Sequence, residues 1–327
     1  MESTQVELPP PPGVINSIKA GFDAIAAHIT AILLPLLLNL FLWLGPRLRV
    51  DTLFSSVKEY MIGVWSAGGI PAEEIQRSIE TLEKGIPAIN IFWSLRTFPV
   101  GISSLLFSRE VTQTPLGDPA IFQVNGFSLT GWIFGLSIIG WIGGGLYFRS
   151  VARISAVDKD ELISPLRAVF QTILLSIACT IIFYVIGAPL IILMTFLLQI
   201  SVFIANIAVL ILSLISMWVI VPVFFWPHGV FLKKQNFLLS IISSIQMARF
   251  TLPTSSMFVL TVFLLSVGLN YLWSIPPEDS WMTLFGIFGH SFVTTALLAA
   301  SFIYYRDMNI WLQNVIERLK LNSLKRA

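Results

Sequence analysis

Charge is what this 327-residue sequence has least of: Asp, Glu, Lys and Arg make up 12% of it against 55% hydrophobic residues, and its mean hydropathy is +0.82. A soluble chain carries about a quarter charged residues, so the supply here cannot clothe a water-soluble globule. Cysteine is nearly missing too. The only one, Cys179, lies in an apolar run, which excludes a disulfide framework and a thiolate metal cluster. Of the three histidines, His28 and His228 fall near the same interface and His290 lies within an apolar run; two scattered ligands make a poor metal site. No His-Glu-x-x-His pair, Gly-x-Ser-x-Gly elbow or Walker loop occurs, so the sequence offers no catalytic residue, no metal site and no cofactor. The net charge of +2 comes without a basic tract interleaved with aromatics, which sets nucleic acid aside as a partner.

What the sequence has instead is uncharged length. About 30 Å of hydrocarbon takes ~20 helical residues to cross. Uncharged stretches cover residues 24–46, 119–148 and 168–232, the last of them 65 residues long. As one helix at 1.5 Å per residue it would reach ~98 Å, so it holds two crossings or three. Two crossings put Arg149, Arg153, Lys159, Arg167, Lys233, Lys234 and Arg249 on one side with the basic tail. The other side then shows an uncharged turn near Gln199 and an acidic turn at Glu278 and Asp279. Cytoplasmic loops carry the excess of Lys and Arg, which decides for two.

The expected fold is therefore all-α: a polytopic membrane protein of about six transmembrane helices with amphipathic interfacial helices, both termini cytoplasmic. Residues 1–23 read as an N-terminal arm and surface helix, and the acidic, proline-rich start is unlike a secretory signal and is expected to be retained. The spans fall at 24–46, 127–148, 168–194, 205–226, 252–275 and 281–305, with a tail at 306–327. Residues 228–250 read as a basic amphipathic helix whose Lys233, Lys234 and Arg249 meet anionic lipid headgroups.

Residues 47–126 are too long and too polar for a simple turn. One stripe runs through Leu53, Val57, Tyr60 and Val64; a second helix has Pro71 in its first turn, aligns Ile75, Ile79 and Leu82, and stops at Gly85. Residues 86–107 are apolar but broken by Arg96 and Pro99, so they read as interfacial or re-entrant rather than spanning. The region reads as a helical cap on the outer face.

The six glycines between Gly131 and Phe148 have no preceding strand in the sequence pattern and no Lys-Ser or Lys-Thr, and their segment has spanning length, unlike a nucleotide-binding loop. Gly131 and Gly135, and Gly140 and Gly144, are four apart, the small-residue spacing that lets helix backbones approach in lipid. Their partner is another helix of this chain or a second copy. Polar side chains inside spans are the candidates for chemistry, since such groups face the bundle interior and find partners. His290, near the middle of the sixth span, could meet Gln171, Asn206 or Asn270 there.

The succession VPVFFWPHGVFLKKQNFLLSIISSIQMARF, a span, a turn at IPPED, another span and the exit FIYYRD with Arg306 and Asp307 resembles bacterial six-helix membrane proteins. These include the membrane domain attached to some glycerophosphodiester phosphodiesterases and the Yip1-like group. The resemblance covers about residues 120 to 310. It implies an architecture and a bacterial inner membrane, without a reaction, because the phosphodiesterase activity of that family belongs to a separate soluble domain. The leading expectation is a non-enzymatic scaffold, assembly or lipid-interacting module whose partners are membrane lipids, other membrane proteins or itself. The alternatives are a secondary transporter with a polar site near His290, Asn206 and Asn270, and a membrane-embedded enzyme.

Overall fold

The structure, a computed structural model, describes residues 10–106, 113–156 and 163–326, with side chains described as far as residue 319. The first nine residues of the expected arm, Lys159 and the side chains at the end of the tail lie outside that set.

Helix α10 (Met282–Arg326) is the axis on which the rest assembles. Ser291, Thr295, Ala296, Ala299, Ala300 and Ser301 are all buried on it, and these small side chains let neighbouring backbones come close. Helix α1 (Val14–Ala27) uses that room: a Cβ placed on Gly21 would sit 2.5 Å from the Ala296 carbonyl oxygen and from the Ala300 amide nitrogen. Phe22 meets Phe292 edge to face at 5.9 Å, while Gly13 and Asn16 lie by Asp307 and Trp311. The first helix thus runs antiparallel along α10, which corrects the surface placement expected for it.

After Ala27 the chain breaks at His28, makes a 3-10 turn over Ile29–Ile32 and enters α2 (Leu33–Leu44) at a bend of 96°. Pro35 falls in the first turn of α2, where its missing N–H needs no partner. The straight first span expected at 24–46 is therefore a broken one. It begins beside Asp307 and ends beside Glu278, whose carbonyl accepts from Trp43 Nε1 at 2.7 Å. Arg47 closes α2 by donating to the Leu42 and Trp43 carbonyls, a cation on a helix C-terminus.

In the cap, α3 (Asp51–Ala67) and α4 (Ala72–Gly85) lie between β1 (Arg47–Arg49) and β2 (Ile121–Gln123), a two-stranded parallel ladder pairing Leu48 with Phe122. Ile75 and Ile79 of α4 are buried, whereas Val57, Tyr60 and Val64 of α3 stay exposed. The cap is thus not purely helical: the ladder ties its ends together.

The rest is helical. Asn125 caps α5 (Gly126–Ser155) by accepting from the Ser128 amide at 3.0 Å, and Ser164 with Pro165 starts α6 (Pro165–Ile182). A π-helical turn over Phe183–Gly187 carries α6 into α7 (Ala188–Ile200). The chain reverses at extended Ser201 into α8 (Val202–Lys233), which stops at Lys234 in the left-handed region, φ 52°. Helix α9 (Phe237–Trp273) bends at Thr251, two residues before Pro253.

Two boundaries change accordingly. The amphipathic helix expected at 228–250 is divided between the end of α8 and the start of α9, because the turn falls at Lys234 to Asn236. The tail from residue 306 is no separate element but the continuation of α10.

Among the described residues, five helices are long and apolar enough to cross a membrane, and the bent α1–α2 pair makes a sixth passage between the same two ends. The chain is an all-α, multi-pass membrane protein. At the end opposite the cap, Arg149 Nε donates to Ile163 O at 2.7 Å, Arg306 Nη1 to Ser155 O at 2.6 Å and Lys233 Nζ to Asn309 Oδ1 at 2.8 Å. There too, Arg167 donates to Lys234 O and Asn236 Oδ1, bridging α6 to the α8–α9 turn.

Candidate functional site

Non-helical backbone inside a bilayer is tolerated only where protein or a water-filled cavity surrounds it. Residues 96–106 are such a stretch. They leave the cap through 3-10 turns at Ile86–Ala88 and Ile91–Leu95 and run down the face of α5. The glycines of α5 make the passage possible: a Cβ on Gly140 would fall 2.5 Å from Leu95 O, and one on Gly144 2.9 Å from Val100 O and from Gly101 Cα. The segment 86–106 is thus re-entrant. Gly131 and Gly135 have nothing within 4 Å of a built Cβ, so within this chain they pack no helix. The partner of Gly140 and Gly144 is an extended segment, a correction to the helix-helix reading of all four.

Asn39 pins the tip. Fully buried on α2, it donates from Nδ2 to Pro35 O at 2.7 Å, while Oδ1 accepts from Leu105 N at 2.8 Å and Ser104 Oγ at 2.9 Å. Leu105 and Leu106 then pack with Leu42, Trp43 and Ile287. Ser103 Oγ lies 3.4 Å from His290 Nε2.

Under this segment lies a cavity of about 270 Å³ between α5, α8, α9 and α10. Phe98, Pro99 and Gly101 roof it; Tyr147, Val223, Pro227, Val262, Leu297 and Leu298 form its walls. Two polar pairs lie at or beside it among apolar side chains. Tyr147 Oη and Thr295 Oγ1 are 2.9 Å apart, and His228 Nε2 is 2.7 Å from Ser301 Oγ. The Ser301 hydroxyl donates its single proton to Leu298 O at 2.7 Å, which leaves its oxygen to accept from His228 Nε2. His228 stacks on Phe224 and lies 4.6 Å from the Phe302 ring. Ser301, 1% exposed to solvent, lines the cavity together with His228.

Opposite, between the re-entrant segment, α5 and α6, lies a lateral groove of about 450 Å³ lined by Arg96, Ser137, Trp141, Ser176 and Thr180. Cys179 lies half-buried on its wall. Among the described residues no three His, Cys, Asp or Glu side chains come together as metal ligands would.

Of the polar residues expected around His290, Gln171 and Asn206 lie away from it, whereas Asn270 is one turn before Trp273, which packs on Gly289 beside His290. Gln171 is buried at the basic end, where its Oε1 accepts from the Phe237 amide at 2.7 Å and so starts α9. Asn206 is exposed on the first turns of α8, and Asn270 lies near the far end of α9. His290 itself is buried against Ser103. Of the three expected headgroup cations, Lys234 and Arg249 are exposed, and Lys233 is held by Asn309 and lies over the Tyr305 ring. Asn39, Tyr147, Thr295 and Ser301 were missed. Asn39 alone carried a signal, as an amide amid leucines four residues after a proline.

Compared with known protein families, curated proteins and solved structures, the chain matches none of them.

Proposed function

We propose that this protein is a non-enzymatic, lipid-interacting module of a bacterial inner membrane, holding one apolar chain of a lipid in the cavity beneath the re-entrant segment. The carrying observation is the cavity itself: apolar walls, a few convergent polar groups and a position between four helices are the usual features of a ligand site. Its size, about 270 Å³, is just below the ~300–1,000 Å³ of drug-sized pockets and suits a single hydrocarbon chain. The basic end, with Arg149, Arg167 and Lys233, supports a cytoplasmic position for both termini under the positive-inside rule.

The test is native mass spectrometry of the full chain from lipid nanodiscs, wild type against Ser266→Phe. Ser266 lines the cavity from α9, so the larger side chain occupies the proposed site. The expected result is a lipid retained by the wild type and lost from the variant. Equal retention by both, or none by the wild type, overturns the reading. A permease is the second reading, favoured by the extended backbone of 96–106 lying against the middle of a spanning helix; flux of a solute across proteoliposomes would select it.

A further inference from the structure

We propose that the cavity beneath the re-entrant segment selects a neutral amphiphile, whose alcohol or ester oxygen accepts a hydrogen bond from the Ser266 hydroxyl while its single chain fills the apolar remainder. This selectivity rests on the lipid-interacting reading and concerns what that reading leaves open, the chemistry of the ligand's head.

Formal charge is missing from the walls. Among the described residues no Asp, Glu, Lys or Arg borders the cavity, and its polar side chains are Ser103, Tyr147, His228, Ser266, Thr294 and Ser301. An anionic head drawn into such surroundings leaves water without a fixed countercharge, which costs far more than burying a neutral alcohol or ester. A bare hydrocarbon, in turn, leaves any free polar group on the wall without a partner. What the cavity holds best therefore depends on which of these six groups is free.

Five are engaged. Thr294 Oγ1 gives its proton to His290 O and Ser301 Oγ gives its own to Leu298 O, each at 2.7 Å. His228 Nε2 lies 2.7 Å from that Ser301 oxygen, and Ser103 Oγ lies 3.4 Å from His290 Nε2. Thr295 Oγ1 commits its proton to Ser291 O at 2.6 Å, so across the 2.9 Å between the two hydroxyls Tyr147 Oη is the donor.

Ser266 differs. Half-buried on α9, it lines the cavity, and its Oγ makes no hydrogen bond with the described residues. Hydroxyls inside helices commonly turn to the carbonyl one turn back, as Thr261 of the same helix does toward Met257 O at 2.7 Å. One uncommitted donor among apolar walls suits one neutral oxygen acceptor. Phe98, 69% exposed, borders both this cavity and the lateral groove, so the ligand's chain meets the bilayer beside that ring.

The experiment uses the full chain in phosphatidylcholine nanodiscs, read by native mass spectrometry, with probes that share one dodecyl chain length: dodecanol, methyl dodecanoate, dodecane and dodecanesulfonate, the last ionised at every working pH. Retention by Ser266→Phe, whose ring occupies the site, gives the bilayer background. Above it, the wild type should retain the better of the alcohol and the ester about threefold to tenfold over dodecane, the scale of one hydrogen bond. Dodecanesulfonate should stay at background. Ser266→Ala should still retain dodecane but lose the excess of the oxygen-bearing probes over it, a comparison that holds even if the phenylalanine variant fails to fold. Ser213→Ala, which removes an exposed hydroxyl of α8 that donates to Val209 O at 2.8 Å, should leave the excess intact. Whichever of alcohol and ester is retained better identifies the acceptor as a hydroxyl or a carbonyl oxygen. Dodecanesulfonate retained as well as dodecanol, no excess over dodecane in the wild type, or an undiminished excess in Ser266→Ala overturns the proposal and leaves lipid binding in place. Equal retention of every probe by the wild type and Ser266→Phe overturns the lipid-interacting reading itself.

Discussion

Alanine at Gly140 or Gly144 tests whether the re-entrant segment sits where it is described, and Gly131 and Gly135 on the same helix provide the controls. All four exchanges gain the same intrinsic helix propensity, up to ~1 kcal/mol in water, so propensity cancels when they are compared. The new methyl differs. At Gly140 it would meet Leu95 O at 2.5 Å and Thr97 Cγ2 at 2.8 Å, and at Gly144 Val100 O at 2.9 Å. Ordinary contacts between these atom types lie at ~3.3–4.0 Å, so the segment must withdraw by roughly 0.5–1 Å. Overpacking of that kind costs ~1–3 kcal/mol. At Gly131 and Gly135 the methyl meets nothing within 4 Å. The expected outcome is a stability gap of ~1–3 kcal/mol between the two pairs in chemical unfolding of the detergent-solubilised chain. The single cysteine offers an independent reading, because Cys179 shares the groove wall with Thr97 and Phe98. A withdrawn segment should speed its modification by a membrane-permeant maleimide in Gly140→Ala and leave it unchanged in Gly131→Ala. Four variants of equal stability with equal labelling rates would refute the placement of residues 96–101 against α5.

Three further substitutions address other joints. Asn39→Ala strips the buried Leu105 amide of its acceptor and frees the tip of the segment, and should cost about 2–4 kcal/mol in the same unfolding assay, one or two unsatisfied groups at ~1–3 kcal/mol each. Gly21→Ala drives a methyl into the Ala296 carbonyl and should destabilise by ~1–3 kcal/mol, whereas Gly63→Ala, with open space around it, should not. Gln171→Leu removes the acceptor for the Phe237 amide, so hydrogen exchange at Phe237 should accelerate while Asn206→Leu, on an exposed face, leaves exchange there unchanged.

The elements that charge spacing reveals are those whose position the bilayer alone decides. The 65 uncharged residues between Arg167 and Lys233 hold two candidate spans in the structure, α6 continued by α7 and then α8, turning at Ser201, because a basic residue at each end and no charge between leave few other solutions. What hydropathy could not disclose is which apolar surface faces protein. Gly131, Gly135, Gly140 and Gly144 look alike as letters; two of them meet open space and two meet backbone, and that depends on a segment 40 residues upstream folding back. The same limit applies to residues 14–27. Their amphipathic stripe is equally compatible with a membrane surface and with the small-residue face of α10, and only the tertiary fit of Gly21 against Ala296 and Ala300 decides between them. The separation of Gln171 and Asn206 from His290 has a related cause: all three are polar letters in apolar runs, but depth along a helix and direction around it are separate quantities, and spacing between charges measures the first alone.

The length of the α6–α8 hairpin follows from the same argument carried one step further. At 1.5 Å per residue, the 36 residues of Pro165–Ile200 reach ~54 Å and the 32 of Val202–Lys233 ~48 Å, well beyond a ~30 Å hydrocarbon core. Ile191, Ile192, Phe196, Phe203 and Leu210 are all exposed within the distal parts of this hairpin, and water would not tolerate such a surface. Tilted by ~40°, at the upper end of what spanning helices adopt, the longer arm covers ~41 Å along the bilayer normal, which is the thickness of the core plus the headgroup zones. Gln199, Ser201 and Asn206 would then reach the far headgroups, while Arg167 and Lys233 stay at the near ones. A tilt of that size would carry this hairpin away from α10, in line with α7 burying none of its residues while α8 becomes buried from Val221 onward, where it closes the cavity with Val223, Pro227 and His228.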